Sequence, residues 1–146
     1  MIPPQPSSTP ASPTNPLLIL RIIWTALLMG ECAFLAIIVF SILPHQPKPD
    51  HPMPILVWVA AAMLLTIVPI TFAIRLRIHN RTDPTGHLPP TAYATGNIMF
   101  WAGCESVAFF SLMVTLVNGS LMPTLIIALI AMATQAITFT LGKPQS

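Results

Sequence analysis

The sequence predicts an all-α integral membrane protein, a four-helix bundle of two transmembrane hairpins with both termini in the cytoplasm. The 146-residue chain is 54% hydrophobic and only 7% charged, whereas soluble domains carry about 25% charged residues. Four apolar segments are separated by loops rich in proline and glycine. This composition excludes a soluble globular domain, an intrinsically disordered chain and a nucleic-acid-binding surface.

The four predicted helices run over residues 17–43, 54–76, 94–117 and 121–141. Each is long enough to cross a hydrocarbon core of about 30 Å at about 1.5 Å per residue. None alternates polar with apolar residues as the strands of membrane β-barrels do. The transmembrane domain therefore covers 17–142. We expect a disordered proline-rich arm over 1–16 before it and a short tail over 143–146 after it.

Positive charges set the predicted orientation, because Lys and Arg are enriched in cytoplasmic loops. In a four-span chain only Lys48 falls on the outer side. The cytoplasmic side receives the others: Arg21, Arg75, Arg77, Arg81 and Lys143. We expect Arg75 and Arg77 to extend outward from the end of the second helix. The predicted location is a bacterial inner membrane or an equivalent energy-converting membrane.

Two glutamates, Glu31 and Glu105, lie near the middle of the first and third predicted helices. Both lie about 15 Å below the predicted cytoplasmic surface, since each is ten residues into its span. A charge there costs about 2.5–3.5 kcal/mol, so such residues usually face the interior of a bundle. One interpretation is a protonatable site. The other is a neutral carboxylic acid that links two helices through a hydrogen bond.

The fourth predicted helix carries a stripe of small and polar residues at spacings of three and four, which is typical of a transmembrane helix interface. The stripe comprises Ala128, Ala131, Gln135, Thr138 and Gly142. Gln135 is the one amide deep in this stripe. We therefore expect a hydrogen-bonded cluster of Glu31, Glu105 and Gln135, and these three are the candidate ion- or proton-handling residues.

The sequence predicts neither an enzyme nor a metal or cofactor site. The motifs HExxH, GxSxG and CxxCH and the Walker motif are absent. All histidines lie in the predicted loops, which does not support haem ligation within the spans. Cys32 and Cys104 adjoin the glutamates, but free cysteine is an ordinary small apolar residue in such helices.

The stretch from Glu105 to Leu116, ESVAFFSLMVTL, resembles the ion-binding helix of rotary-ATPase proteolipids, the subunit c family. In that family a membrane carboxylate is followed by an apolar helix, and an arginine-containing cytoplasmic loop precedes it. Arg75, Arg77 and Arg81 occupy the comparable place here. The resemblance covers the second and third predicted helices. It implies two fused helical hairpins with Glu105 as the proton carrier.

Two functions remain open at this point. The first is a non-catalytic accessory subunit of a larger, energy-converting membrane complex, because the chain has no catalytic set and much apolar surface. The alternative is a proton- or cation-handling, proteolipid-like protein that uses Glu31 and Glu105. The expected partners are the lipid bilayer and other membrane subunits, with no nucleic acid, and a homo-oligomer is left open.

Overall fold

The computed structural model describes residues 16–47, 52–80 and 90–140, and its secondary structure in these ranges is entirely helical. The helices are α1 (Pro16–Ile37), α2 (Pro54–His79), α3 (Pro90–Asn118) and α4 (Thr124–Thr140). A π-helical turn (Ile38–Ile42) and a 3₁₀ turn (Leu43–His45) continue α1. The all-helical prediction is confirmed for this part of the chain.

Several positions named in the sequence analysis lie outside the described residues. They are the arm up to residue 15, the tail over 143–146, Lys48, Arg81, Gly142 and Lys143. The expectations placed on these residues therefore stay predictions.

Three helical segments among the described residues are long and apolar enough to cross a membrane. They are Leu18–His45, Pro54–His79 and Thr91–Asn118. The fourth apolar segment, Thr124–Thr138, is shorter. The predicted fourth helix over 121–141 begins too early, because Gly119 has a positive φ of 59° and Pro123 directly precedes α4. A left-handed glycine is a common way to end a helix, here α3.

The other helix boundaries also differ from the predicted ones. Regular α-helix in α1 ends at Ile37, where the wider π-turn begins, and the Leu43 amide donates to the Ile38 carbonyl. Pro44 follows directly and has no amide hydrogen to continue an α-helix. At the other boundary, α3 begins at Pro90 rather than 94, in keeping with the preference of proline for the first helical turn.

Helix α3 lies at the centre of the bundle and contacts each of the other three helices. In its apolar window 56% of the residues are buried, compared with 11% in the first span and 6% in the second. The outer faces of α1 and α2 therefore expose large apolar side chains, which suits contact with lipid or with other membrane helices.

The α2–α3 contact is close, because Gly103 faces Thr71. A Cβ atom added to Gly103 would lie 2.8 Å from Thr71 Cγ2. At the end of the same antiparallel pair, the His79 ring contacts the Tyr93 ring at a centroid distance of 5.3 Å. Small residues thus allow the two backbones to approach, as is usual between membrane helices.

The opposite end of this pair is fixed by Asn118, the last residue of α3. Its Oδ1 accepts a hydrogen bond from the Met53 amide at 2.8 Å, and its Nδ2 donates to the Met53 carbonyl at 3.4 Å. Met53 directly precedes α2. The side chain of Gln46, which follows the α1 extension, donates to the Leu116 carbonyl at 2.9 Å. These bonds set the register of α1 and α2 against α3.

Candidate functional site

Helices α1 and α3 run parallel, and this direction brings the two glutamates to one level. The Phe34 and Phe109 rings lie 5.2 Å apart. Further along, Ile38 and Leu112 share one apolar cluster. Glu31 and Glu105 each lie about one turn before the phenylalanine pair, so they occupy the same depth in the bundle.

Glu31 is fully buried, with 0% of its surface exposed. Neither of its carboxyl oxygens has a hydrogen-bond partner among the described residues. Glu105 and Cys104 of α3 are the groups in electrostatic range of this carboxyl. An isolated carboxylate in an apolar interior is unfavourable by many kcal/mol, so a carboxyl in this setting takes up a proton readily. The reaction available to such a carboxyl is to bind or release one proton.

Gln135 on α4 is also fully buried, and both its side-chain oxygen and its side-chain nitrogen lack hydrogen-bond partners among the described residues. Its backbone carbonyl accepts a hydrogen bond from the Trp24 indole at 3.2 Å. Trp24 lies seven residues before Glu31, which places both on the face of α1 that is turned to α4. Ala128, seven residues before Gln135, clusters with Ile38 and Leu112, so Gln135 lies at about the level of Glu31 and Glu105.

The predicted hydrogen-bonded cluster of Glu31, Glu105 and Gln135 is wrong. Glu31 and Gln135 make no side-chain hydrogen bond with each other or with Glu105, because their polar atoms are unpartnered. Glu105 is only partly buried, at the edge of the face that α3 turns toward α1. The three residues lie in one region of the bundle without forming a bonded network.

The expectation that Arg75 extends outward is also wrong. Arg75 is only 6% exposed, and its Nη2 donates to the Thr138 carbonyl of α4 at 3.1 Å. The guanidinium carbon lies 5.5 Å from the centre of the Phe100 ring of α3. Its partners in the described part of the chain are thus a carbonyl and an aromatic ring. Cys104 lies in electrostatic range of both Arg75 and Glu31.

The sequence contained a signal that could have revealed this position. Arg75 and Arg77 are two residues apart, so their side chains leave the helix about 200° apart. Only one of them can then face outward on a helix packed on one side. Arg77 is exposed and Arg75 is buried. Arg21, on α1, is exposed as well.

The α4 stripe faces the interior over its described members. Ala128, Ala131 and Gln135 are 0% exposed and Thr138 is 6% exposed. The Thr138 hydroxyl donates to the Thr134 and Gln135 carbonyls of its own helix, at 2.8 and 3.0 Å. Its own carbonyl, near the end of α4, is left for Arg75. The stripe therefore serves helix packing, and its Thr138 carbonyl also binds the Arg75 guanidinium.

Two further polar residues of this region, His79 and Asn97, were missed in the sequence. The His79 Nδ1 donates to the Arg75 carbonyl at 2.7 Å, and its Nε2 is buried without a partner among the described residues. Asn97 is 2% exposed, and its side chain donates to the Tyr93 carbonyl at 2.8 Å. A second helix that ends at residue 76 places His79 in a loop, whereas α2 continues to His79.

The cysteines adjoining the glutamates differ in environment, since Cys32 is exposed and Cys104 is buried. Among the described residues no group of three or more histidine, cysteine, aspartate or glutamate side chains could hold a metal ion. Comparisons of the chain with protein-family models, with curated proteins and with solved structures find no match. The resemblance to the proteolipids therefore stays a prediction, and the functional argument depends on the geometry around Glu31.

Proposed function

We propose that the chain is an integral membrane protein that handles protons through Glu31, inside a four-helix transmembrane bundle with both termini in the cytoplasm. The observation that carries the proposal is the fully buried Glu31 carboxyl, whose two oxygens have no hydrogen-bond partner in the described chain. Three helices long and apolar enough to cross a membrane support the membrane location. The charge distribution of the sequence supports the orientation.

The absence of a bonded partner separates this function from the structural alternative. A carboxylic acid that links two helices must donate or accept a hydrogen bond across their interface. Glu31 makes no such bond within the described ranges, although Gln135 lies nearby and is itself unpartnered. Burial without a bond destabilises the protein, which is characteristic of functional ionisable residues in membranes.

A proton suits this site better than a metal cation does. Hard divalent cations take about six or more oxygen ligands, whereas a carboxyl needs no ligand shell to bind a proton. The buried residues near the level of Glu31 on the facing helices are Cys104, Ala131 and Gln135. Of these side chains the Gln135 amide offers one oxygen atom, which together with the carboxyls of Glu31 and Glu105 gives fewer ligands than a hard divalent cation takes.

Glu105 gives the site a second carboxyl at the same depth. It is partly buried, whereas Glu31 is enclosed. A proton on Glu31 can therefore pass to a group that borders the outside of the bundle. The resemblance of the stretch after Glu105 to proteolipid helices supports its role as the second carrier.

The proposal is tested by proton flux into liposomes that contain the purified chain and a pH-sensitive dye, under an imposed membrane potential. Wild-type protein should admit protons faster than empty liposomes do. Glu31→Gln should reduce the flux to that of empty liposomes, and Glu105→Gln should reduce it as well. Cys32→Ser is the matched control, because it alters the next residue on the exposed face of α1 and should leave the flux unchanged.

Two results contradict this function. One is wild-type flux no greater than that of empty liposomes. The other is a folded Glu31→Gln variant with wild-type flux. Folding of each variant is checked by its elution from a gel-filtration column and by its helical circular dichroism.

A second candidate function, a non-catalytic accessory subunit of an energy-converting membrane complex, is favoured by a groove between α1 and α4. The groove has a volume of about 320 Å³ and is open to the surroundings of the bundle. Its walls are formed by Cys32, Leu35, Ala36, Val39, Phe40, Leu125 and Leu129. An apolar groove of this kind suits a helix of another subunit.

The native mass of the protein distinguishes the two functions. The protein is extracted gently from the membranes in which it occurs. Its native mass is then measured, and the co-purifying chains are identified. A fixed stoichiometry with unrelated larger subunits would support the accessory function. A monomer or a homo-oligomer would exclude it and leave Glu31 as the basis of function.

A further inference from the structure

We infer that Gln135 is the residue that allows Glu31 to release its proton, because its side-chain amide donates a hydrogen bond to the Glu31 carboxylate once the proton has left. The bond forms directly, after the two side chains turn, or through one water molecule. This inference rests on the proposed function and names a positioning residue for the same site. It concerns the ionised state of Glu31, whereas the unbonded arrangement of the structure suits a neutral carboxyl.

Helix register places Gln135 opposite Glu31. Ile38 of α1 and Ala128 of α4 belong to one buried cluster. Helices α1 and α4 run in opposite directions, because α1 is parallel to α3 and a short turn connects α3 to α4. Seven residues, which make about two helical turns, separate Ile38 from Glu31 and Ala128 from Gln135. The members of each pair share one face of their helix, so Glu31 and Gln135 lie at one level on facing sides.

The two side chains are enclosed in the bundle and have complementary chemistry. Glu31 and Gln135 are 0% exposed, and both polar atoms of each side chain lack partners among the described residues. An amide nitrogen carries N–H donors, whereas an ionised carboxyl only accepts hydrogen bonds. The Gln135 amide therefore supplies what an ionised Glu31 needs, and the carboxylate in turn gives the amide an acceptor.

The backbone of Gln135 is fixed at this level, while its side chain is left unbonded. The Trp24 indole of α1 donates to the Gln135 backbone carbonyl at 3.2 Å. One turn earlier on α4, Ala131 is fully buried in a cluster against which Leu35 of α1 packs. These contacts hold this part of α4 against α1. The unbonded amide can therefore turn about its side-chain bonds without a shift of the helix.

The other titratable and charged groups near Glu31 are less suited to this role. Cys104 of α3 lies in electrostatic range of Glu31, but a thiol is a weak hydrogen-bond donor. Glu105 also faces Glu31 from α3, and an ionised carboxyl donates no hydrogen bond. The Arg75 guanidinium of α2 already binds a carbonyl near the end of α4. Gln135 therefore offers an unengaged donor at the level of Glu31.

The strength of the bond depends on the protonation state of Glu31. A hydrogen bond to an ionised group is about twice as strong as one between neutral groups. The Gln135 amide therefore stabilises the carboxylate more than the neutral carboxyl, and this difference favours release of the proton. A carboxylate without such a donor is strongly unfavourable in an apolar interior. Removal of the amide should thus lower Glu31-dependent proton flux about tenfold or more.

The experiment is infrared difference spectroscopy of the full chain in liposomes, with glutamine isotope-labelled at its side-chain carbonyl carbon. A step in pH ionises Glu31, whose bands are assigned by their loss in Glu31→Gln. In the wild-type protein the labelled amide band of Gln135 should shift when Glu31 ionises. The shift should be absent in Glu31→Gln. A role of Gln135 in helix packing alone would leave the amide band unchanged.

The variant Gln135→Met removes the amide but keeps a side chain of similar length. It should change the frequency of the Glu31 carboxylate band and lower the proton flux about tenfold or more. The matched control is Thr134→Val, which alters the residue next to Gln135 but removes a hydroxyl that bonds only the Ile130 carbonyl of its own helix. The control should leave both the band and the flux unchanged.

If Gln135→Met does not fold, the labelled wild-type protein still decides. Gln46, the other glutamine of the described residues, follows the α1 extension and lies far from Glu31, so its amide should not respond. Heavy-oxygen water separates the two forms of the bond, because only a bridging water adds a band that shifts with the oxygen isotope. An amide band that does not respond to Glu31, or a carboxylate band that is identical in folded Gln135→Met, would overturn the inference.

The result is separable from the test of the proposed function. A response of the amide band in a protein without proton flux would preserve the bond between Gln135 and Glu31 and contradict the proposed function. Flux that depends on Glu31, without a response of the amide band, would preserve the function and contradict the bond.

Discussion

The Arg75 guanidinium places a positive charge in the bundle interior, beside a carbonyl and an aromatic ring. The Thr138 carbonyl accepts one of its hydrogen bonds, and the Phe100 ring faces its charge. A cation over an aromatic ring gains about 0.5–2 kcal/mol, more when water is excluded. This is less than the cost of burying an isolated charge. Stability alone therefore does not explain the buried Arg75, and we expect its charge to act on the region around Glu31, since Cys104 lies in electrostatic range of both groups.

We predict that Arg75→Met leaves the thermal stability of the protein unchanged or raises it, while it lowers Glu31-dependent proton flux. The physical reason is that buried ionic groups replaced by apolar groups of similar volume are often neutral or stabilising. Thermal unfolding in detergent and the liposome assay measure the two effects. Arg77→Met, at an exposed position two residues away, is the control for both. A large loss of stability in Arg75→Met would indicate a structural role.

At Glu31, comparing the stability of an apolar variant with its proton flux separates proton handling from helix packing. We predict that Glu31→Met stabilises the folded chain by about 1–3 kcal/mol, because it removes a buried polar group that has no hydrogen-bond partner. The proton flux should be lost in the same variant. Denaturant unfolding in mixed micelles measures the first quantity. A decrease in stability of that size would support a carboxylic acid that links helices.

At the scale of helices, the α2–α3 contact depends on the small size of Gly103, which faces Thr71. We predict that Gly103→Ala destabilises the protein by about 1–3 kcal/mol, because the new methyl group would overlap Thr71. The matched control is Gly30→Ala on α1, where an added Cβ meets no heavy atom within 4 Å. This variant should gain up to about 1 kcal/mol from helix propensity. Equal effects of the two substitutions would contradict the close contact.

The number and order of helices could be predicted from the sequence, because apolar runs and proline-rich loops are local signals. Their boundaries were less accurate: α2 continues to His79, and α4 begins only at Thr124. The contacts between polar groups of different helices were harder still to predict. The burial of Arg75 depends on the Thr138 carbonyl and on Phe100, two groups from other helices. The lack of a bond between Glu31 and Gln135 likewise depends on helix register, which residue spacing alone does not fix.

At the scale of the whole molecule, the orientation follows from the distribution of positive charge. We predict that a single cysteine introduced at Asp50 is labelled from outside intact cells by a membrane-impermeant reagent. Cysteines introduced at Thr85 or at Ser146 should be labelled only after the cells are opened. These variants are made in a chain with Cys32 and Cys104 replaced. Labelling of Thr85→Cys or Ser146→Cys in intact cells would contradict the four-span topology.

The central place of α3 has a consequence for how the protein is made. Of the three spans it is the least apolar, and it carries Asn97, Glu105 and Thr115. A segment of this kind is costly to leave surrounded by lipid alone. During synthesis α1 and α2, the more apolar spans, enter the bilayer first, and α3 buries its polar side chains when it packs against them. The newly made α3 would thus remain beside the insertion machinery, or packed against α1 and α2, until α4 completes the bundle.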